Sequence, residues 1–145
     1  MSNDQKVFIY SPELELGGYP AECPFNSKRA GKTLETIKTN GLIHSEDRSV
    51  RPAEPLERGL LERFHTVAYL DALRAAGLGT LSPREALNYG LGTPDTPLFQ
   101  GMHEFTALAA GGTVTAARLI RDGQAHIAFN PSGGFLHLHP ARAAG

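Results

Sequence analysis

Two histidines near the end of the sequence have the type and spacing of catalytic or metal-binding side chains. His137 and His139 are two residues apart and follow a Gly-Gly pair. Residues two apart in an extended chain point to the same side, so the pair could bind one metal ion or act as a base with its partner. The spacing alone favours two ordinary histidines near the terminus, because an H-x-H pair is a weak motif. His65 and His103 lie among apolar neighbours in helical contexts, which favours structural roles for both.

A carboxylate, a guanidinium and a thiol complete the candidate set. Asp95 lies in Gly92–Pro97, a loop with two prolines. It is either a turn former or a carboxylate held rigidly at the mouth of a cleft. Arg29, near the start of a predicted helix, is typical of a solvated or capping residue. Cys23 has no base beside it in the sequence, which argues against a nucleophile.

The composition describes one globular domain over residues 1–145. Of the 145 residues, 41% are hydrophobic and 20% are charged, as expected for a packed core. The net charge of −1 argues against nucleic acid or an anionic membrane as partner. One cysteine excludes an internal disulfide and a cysteine-based zinc finger. Without a signal-like or membrane-spanning apolar stretch, we expect a cytoplasmic protein.

The apolar periodicity predicts alternating strands and helices. The predicted strands are Lys6–Tyr10, Leu42–His44, one near Val50, and Ala125–Phe129. The predicted helices are Ser27–Asn40, Leu56–Phe64, one capped by Thr66 and ending at Gly77, one opened by Ser82-Pro83 and ending near Gly90, and Gly101–Asp122. A helix between two apolar strands indicates an α/β fold with a parallel sheet, whose ligands bind at the carboxyl ends of the strands. Gly111-Gly112 inside a helix predicts that something packs close to the backbone.

Five blocks, in order and at matching distances, together resemble the zinc-dependent histone deacetylase superfamily. They are Phe64-His65-Thr66-x-x-Tyr69-Leu70-x-x-Leu73, Tyr89-Gly90-Leu91-Gly92, Asp95-x-Pro97, Ala110-Gly111-Gly112-Thr113 and Asn130-Pro131-Ser132-Gly133-Gly134. The resemblance spans nearly the whole chain and is nearest to the acetoin-utilisation and acetylpolyamine-amidohydrolase type. It implies a truncated arginase-like and deacetylase-like α/β fold, with a small parallel sheet flanked by helices. The chain would match the N-terminal portion of the catalytic domain.

The resemblance also implies a site that hydrolyses N-acetyl-lysine or similar amides, with zinc polarising the carbonyl and activating water. Asp95 matches the rim carboxylate that hydrogen-bonds the substrate backbone. Arg29 matches the arginine of an internal channel, and Phe135 the aromatic residue before the histidine pair. His137 matches the general base, and Gly145 the glycine that faces the substrate in the acyl tunnel.

Three departures from the family pattern bear on activity. Leu136 stands in place of the first, charge-stabilising histidine, and Cys23 stands where relatives carry the histidine of a His-Pro pair. His139 matches nothing catalytic. The family's metal ligands, an Asp-x-His and a later aspartate, have no counterpart in these residues, and neither does its oxyanion-supporting tyrosine. We therefore expect no metal ligand and no cofactor in this chain.

These departures favour a truncated deacetylase-like protein without deacetylase activity, which acts as a small binding or self-associating protein. The alternative is the N-terminal fragment of a zinc-dependent amidohydrolase, active only with its missing C-terminal part. A third alternative is a self-contained enzyme that uses His137 and His139 with an unrelated metal. We expect a homodimer or other homo-oligomer, because truncation would expose a sheet edge. We also expect Asp95, Phe135 and His137 to converge in a remnant pocket that accepts a small-molecule ligand.

Overall fold

The computed structural model describes residues 4–133 and 139–143. Its three strands are β1 (Lys6–Ile9), β2 (Arg48–Arg51) and β3 (Ile127–Phe129). Its five α-helices are α1 (Arg29–Thr39), α2 (Arg58–Leu61), α3 (Val67–Gly77), α4 (Pro83–Asn88) and α5 (Met102–Arg121), and Pro12–Glu15 forms a 3-10 helix. No helix within the described ranges is long and apolar enough to cross a membrane.

The sheet is parallel and has the order β2-β1-β3. Lys6 pairs with Arg48 on one side and with Ile127 on the other, and Phe8 pairs with Phe129. The central strand β1 is apolar and almost fully buried, as a parallel strand between two neighbours should be. The predicted α/β fold with a small parallel sheet flanked by helices is confirmed.

The chain divides into two compact units, each with its own core. The sheet unit comprises residues 4–16, Ser27–Pro55 and Leu108–Gly133. Its buried cluster consists of Val7, Ile9, Ala53, Ala116 and Ala125. The helical unit comprises Gly17–Asn26, Leu56–Ala107 and residues 139–143. Its buried cluster consists of Tyr69, Leu70, Leu73, Ala76, Ala86, Leu91, Met102 and Ala143.

Polar caps fix where two of the helices begin, as their sequences predict. The Thr66 side chain accepts a hydrogen bond from the Tyr69 backbone N–H at the start of α3. Ser82 and Glu85 form a reciprocal capping box at the start of α4, where Pro83 occupies the first turn. Each cap satisfies a backbone donor that the helix itself leaves unpaired.

Three local expectations differ from the structure. Residues 42–44 form no strand; Leu42 is exposed and lies in a turn after α1. The helix expected over residues 56–64 covers only Arg58–Leu61, because Glu57 has an extended backbone with ψ of 145°. The loop expected after β1 begins with the 3-10 helix Pro12–Glu15, which has proline in its first turn and the buried Leu14. The single-domain assignment over residues 1–145 stays a prediction.

Candidate functional site

The Asn130 side chain shapes the turn at the carboxyl end of β3. Its Nδ2 donates to the Ala109 carbonyl at 3.2 Å and to Thr113 Oγ1 at 3.0 Å, both on α5. Its Oδ1 accepts from the Ser132 backbone N–H at 3.2 Å. The amide therefore fixes the backbone direction just before the Gly-Gly pair that precedes His137.

Gly112 allows this contact between the turn and α5. A Cβ at Gly112 would lie 2.8 Å from Asn130 Nδ2, and a Cβ at Gly133 would lie 2.8 Å from Thr113 Oγ1. Such distances are too short for a non-bonded carbon, so both positions require glycine unless the neighbours move. The expectation that something packs close to the backbone of α5 is confirmed at Gly112, and the amide of Asn130 is what packs there.

Residues 139–143 contact the rest of the helical unit at two points. The Pro140 carbonyl accepts from the Thr66 backbone N–H at 2.9 Å and lies 3.3 Å from His65 Nδ1, a distance that suits a proton on Nδ1. The Ala143 N–H donates to the Tyr89 carbonyl at 2.8 Å, and the Ala143 side chain is buried. His65 thus has a structural contact, but it lies in the bend between α2 and α3 and not in the helix that its sequence neighbours suggested.

Gly90 makes the second of these contacts possible. Its φ is +70°, in the left-handed region that glycine adopts without strain. A Cβ there would also overlap the carbonyl oxygen of Ala143. The sequence presents Gly90 only as the end of a predicted helix, and the long-range contact has no local signal.

Asp95 occupies the tip of a tightly closed loop in the helical unit. The Thr96 N–H donates to the Thr93 carbonyl at 3.1 Å and to Thr93 Oγ1 at 3.0 Å, and the Gly92 N–H donates to the Thr96 carbonyl at 2.8 Å. Asp95 itself is exposed. Asp95 therefore lies in a turn, and its role as a carboxylate at the mouth of a cleft stays a prediction.

Arg29 is the first residue of α1 and is exposed, and its carbonyl accepts a hydrogen bond from Thr33 Oγ1 at 2.8 Å.

Sequence reasoning missed Tyr10, which follows β1 in the sheet unit. The Tyr10 hydroxyl donates to Glu15 Oε1 at 2.6 Å, and this hydrogen bond, aided by burial, raises the Tyr10 pKa to about 12. No local pattern links a tyrosine after a strand to a glutamate five residues on.

The predicted residues Phe135, Leu136, His137 and Gly145 lie outside the described residues, so their roles and their convergence with Asp95 stay predictions. His139 is exposed and pairs with Arg142 in an isolated β-bridge.

Over residues 4–133 and 139–143, no group of three His, Cys, Asp or Glu side chains could hold a metal ion. The described side chains therefore do not fit the zinc site that the sequence resemblance implies, and no reaction step through zinc follows from them.

The fold and the anchored turn define an α/β protein with a small parallel sheet. A solved HDAC homolog from Aquifex aeolicus matches 98% of this chain with a TM-score of 0.85 at 27% identity. An HDAC homolog solved in complex with SAHA matches 97% of it with a TM-score of 0.82. The chain covers 37% of each of those structures.

Sequence comparison places the chain in one family. The histone deacetylase domain matches residues 23–145, and the chain belongs to that family. The acetoin utilization protein AcuC of Bacillus subtilis is 42% identical over 139 residues, and that of Staphylococcus aureus strain MRSA252 is 32% identical over the same length. These alignments cover 96% of this chain and 35% of each relative, so the chain spans about a third of the curated relatives it matches. It corresponds to an N-terminal portion of the proteins in this family.

Proposed function

We propose that these 145 residues form a deacetylase-type protein that binds amide-bearing ligands and does not hydrolyse them on its own. The ligand class is the N-acetyl-lysine or acetylpolyamine type that the family resemblance implies. Asp95 would bind the ligand backbone at the rim, and His137 would occupy a vestigial base position. Phe135 and Gly145 would face the ligand, and Arg29 would take the part of the family's channel arginine.

The observation that carries the proposal is the side chain at position 136. Leu136 stands where the family pattern has a histidine that stabilises developing charge. An aliphatic side chain can neither donate a hydrogen bond nor carry charge, and losing one such donor costs roughly 10²–10³-fold in rate. The sequence also contains no Asp-x-His triplet. The sequence thus contains residues assigned to ligand binding and lacks residues assigned to the hydrolysis step.

A second candidate function is the substrate-binding part of a zinc-dependent amidohydrolase that is active once its remainder is present. The anchors on either side of residues 134–138 support it. Asn130 is hydrogen-bonded to α5 within the sheet unit, and Pro140 and Ala143 are hydrogen-bonded to Thr66 and Tyr89 within the helical unit. Such anchors would be expected where a base must be held in place.

Hydrolysis assays on the purified chain test the absence of activity that the proposal states. The chain is incubated with an acetyl-lysine peptide and with an N-acetylpolyamine, with and without added Zn²⁺, and the free amine is measured by mass spectrometry. We expect no amine above the protein-free blank. Turnover that His137→Ala abolishes would overturn the proposal.

A complementation assay tests the second candidate. The chain is mixed with the part of Bacillus subtilis AcuC that the alignment does not match, and hydrolysis is measured again. Amine release only in the mixture favours the second candidate. If the second candidate is correct, Leu136→His should raise the rate of amine release in the mixture by about 10²-fold, since the substitution restores a charge-stabilising group.

A further inference from the structure

The C-cap of α1 is an asparagine followed by glycine, a pair whose chemistry none of the roles above uses. Asn40 and Gly41 are both exposed, and they form the one Asn-Gly pair in the sequence. An asparagine amide is thermally labile, because the backbone nitrogen of the next residue can attack its side-chain carbon Cγ. Glycine at that next position favours the attack, since it has no Cβ to obstruct it. The pair is therefore a candidate site of covalent change.

The structure leaves room for this reaction around Gly41. Leaving aside its chain neighbours, a Cβ placed on Gly41 would meet a single atom within 4 Å in the described residues, His44 Cδ2 at 4.0 Å. The Gly41 N–H donates to the Lys38 carbonyl at 3.0 Å, and this hydrogen bond must open before the nitrogen attacks. It lies at an exposed helix end, where local opening costs least.

The Asn40 side chain is also part of the structure that ends α1. Its Nδ2 donates to the Thr36 carbonyl at 2.8 Å, and its backbone N–H donates to the same carbonyl at 3.1 Å. The Leu42 N–H donates to the Ile37 carbonyl at 3.0 Å and closes the helix end. The amide of Asn40 is thus both the reactive group and a structural donor.

We propose that Asn40 is a site of spontaneous deamidation, in which water is the co-reactant. The Gly41 nitrogen loses its proton to solvent and bonds to Cγ of Asn40, and Nδ2 leaves as ammonia. Water then opens the resulting succinimide ring at either of its two carbonyl carbons. The products are aspartate, with the original backbone, and isoaspartate, whose backbone runs through Cβ and Cγ. This proposal goes beyond the proposed function and does not depend on it.

Either product should loosen the end of α1. A carboxylate cannot donate, so the hydrogen bond from position 40 to the Thr36 carbonyl is lost. The new negative charge lies at the carboxyl end of the helix, where the partial charge is already negative. Isoaspartate also lengthens the backbone by one carbon, which displaces the Gly41 and Leu42 amides from their acceptors. The reaction makes the net charge of −1 more negative by one unit.

The residues after α5 provide an internal control with a matching backbone. Gly123 has a φ of +68°, close to the +69° of Gly41, and its N–H donates to the Ile120 carbonyl at 3.1 Å. The residue before it is Asp122, whose carboxylate accepts two hydrogen bonds from Arg121, at 2.7 and 3.1 Å, and these lower its pKa. An ionised carboxylate resists nucleophilic attack, so we expect no isoaspartate at Asp122.

Incubation of the full chain at mildly alkaline pH and body temperature, followed by trypsin digestion and mass spectrometry, tests the proposal. Cleavage after Lys38 and Arg48 releases residues 39–48, in which Asn40 is the sole amide side chain. We expect this peptide to convert progressively to the acid. Isoaspartyl methyltransferase with labelled S-adenosylmethionine should label the same peptide. No conversion over several weeks would overturn the proposal, as would equal labelling at Asp122.

Two substitutions at position 40 separate the reaction from its consequence. Asn40→Gln is the matched control: it keeps the amide donor, but its attack would need a larger ring, so we expect no measurable conversion. Conversion of Asn40→Gln as fast as that of the unaltered chain would overturn the proposal.

Asn40→Asp carries the charge of the product. Its Leu42 amide should exchange with solvent about tenfold faster than in the unaltered chain, as expected for one lost hydrogen bond and an unfavourable charge at the helix end. The Gln124 amide, which donates to the Leu119 carbonyl at the equivalent place after α5, should exchange at an unchanged rate. Equal Leu42 exchange rates in Asn40→Asp and the unaltered chain would contradict the proposed effect on α1.

Discussion

At the scale of single residues, an amide and a glycine determine how the turn after β3 meets α5. Asn130 uses both of its polar atoms, donating to Ala109 and Thr113 and accepting from Ser132. Gly112 leaves the space in which the amide lies. The Asn130 amide and the space that Gly112 leaves together hold the turn at residues 130–133 against α5.

Gly112→Ala should destabilise the protein by about 1–3 kcal/mol, although alanine favours a helix over glycine by about 1 kcal/mol. The reason is the added Cβ, which would lie 2.8 Å from Asn130 Nδ2. Gly59→Ala in α2 is the control, since nothing lies within 4 Å of its Cβ position. Urea unfolding measures both; a Gly112→Ala variant as stable as the unaltered chain would mean that the turn can move.

The Tyr10–Glu15 hydrogen bond should make stability depend on pH in the alkaline range. The Tyr10 pKa rises from an ordinary 10.0 to about 12 in the folded protein. A raised pKa means that the folded state holds the proton more tightly, so the stabilisation is complete below pH 10 and is lost as pH rises toward 12. Tyr10→Phe should therefore be less stable than the unaltered chain near neutral pH, and the difference should shrink above pH 10.

Urea unfolding at neutral pH and at alkaline pH checks this expectation. Tyr89→Phe serves as the control, because the Tyr89 hydroxyl has no hydrogen bond within the described ranges. Its stability difference from the unaltered chain should not change with pH. A constant difference for Tyr10→Phe across the same range would contradict the role of Glu15.

At the scale of elements, the segment 139–143 depends on contacts with parts of the chain that are distant in sequence. Thr66 precedes α3 and Gly90 follows α4, yet both lie against this segment. Each contact involves backbone atoms, so neither depends on a long side chain. Residues 139–143 are therefore held by main-chain hydrogen bonds, to which the buried Ala143 side chain adds an apolar contact.

Gly90→Ala should release this segment. The substitution adds strain at a φ of +70° and an overlap with the Ala143 carbonyl, so the Ala143 amide should exchange with solvent faster. Gly79→Ala matches it in backbone strain, with a φ of +70°, but nothing lies within 4 Å of its Cβ position. Hydrogen exchange followed by NMR should show faster exchange of the Ala143 amide only in Gly90→Ala. Equal exchange rates in the two variants would contradict the role of the Ala143 contact, because backbone strain alone would then explain the change.

At the scale of the whole molecule, β3 is an edge strand in the described sheet, since it pairs only with β1. Its two outward side chains are apolar, and Ile127 and Phe129 are 51% and 53% exposed. Phe129 also packs edge-on against Phe8 at 5.7 Å, so part of its surface already belongs to the core. An apolar edge strand with free backbone groups is a template for pairing with another strand.

We propose that two copies of the chain associate through this edge. Sedimentation equilibrium at micromolar concentration should give about twice the 15.6 kDa mass of one chain. Ile127→Lys should shift the equilibrium to monomer, because a lysine on an edge strand opposes pairing. Ile120→Lys on α5 is the control, as Ile120 is similarly exposed. A monomer for the unaltered chain would refute the proposal.

The sequence by itself determined most of the helices and strands and the family to which the chain belongs. β1 has an uninterrupted apolar run, Thr66 and Ser82 are strong helix caps, and α5 has a sustained helical period. These signals are local, because each depends on residues within one or two turns of each other. The five family blocks are equally readable in the sequence, and they carried the family assignment that the comparisons confirm.

Only the tertiary structure decided which distant groups meet. Gly112 signalled a close approach but not that Asn130 makes it, and Gly90 signalled only the end of a helix. Leu42–His44 has the composition of a strand and forms none, and no strand of the described sheet pairs there. The physical reason is the same throughout: a hydrogen bond or a close contact between residues far apart in sequence depends on where the whole chain places them, and no local pattern encodes that position.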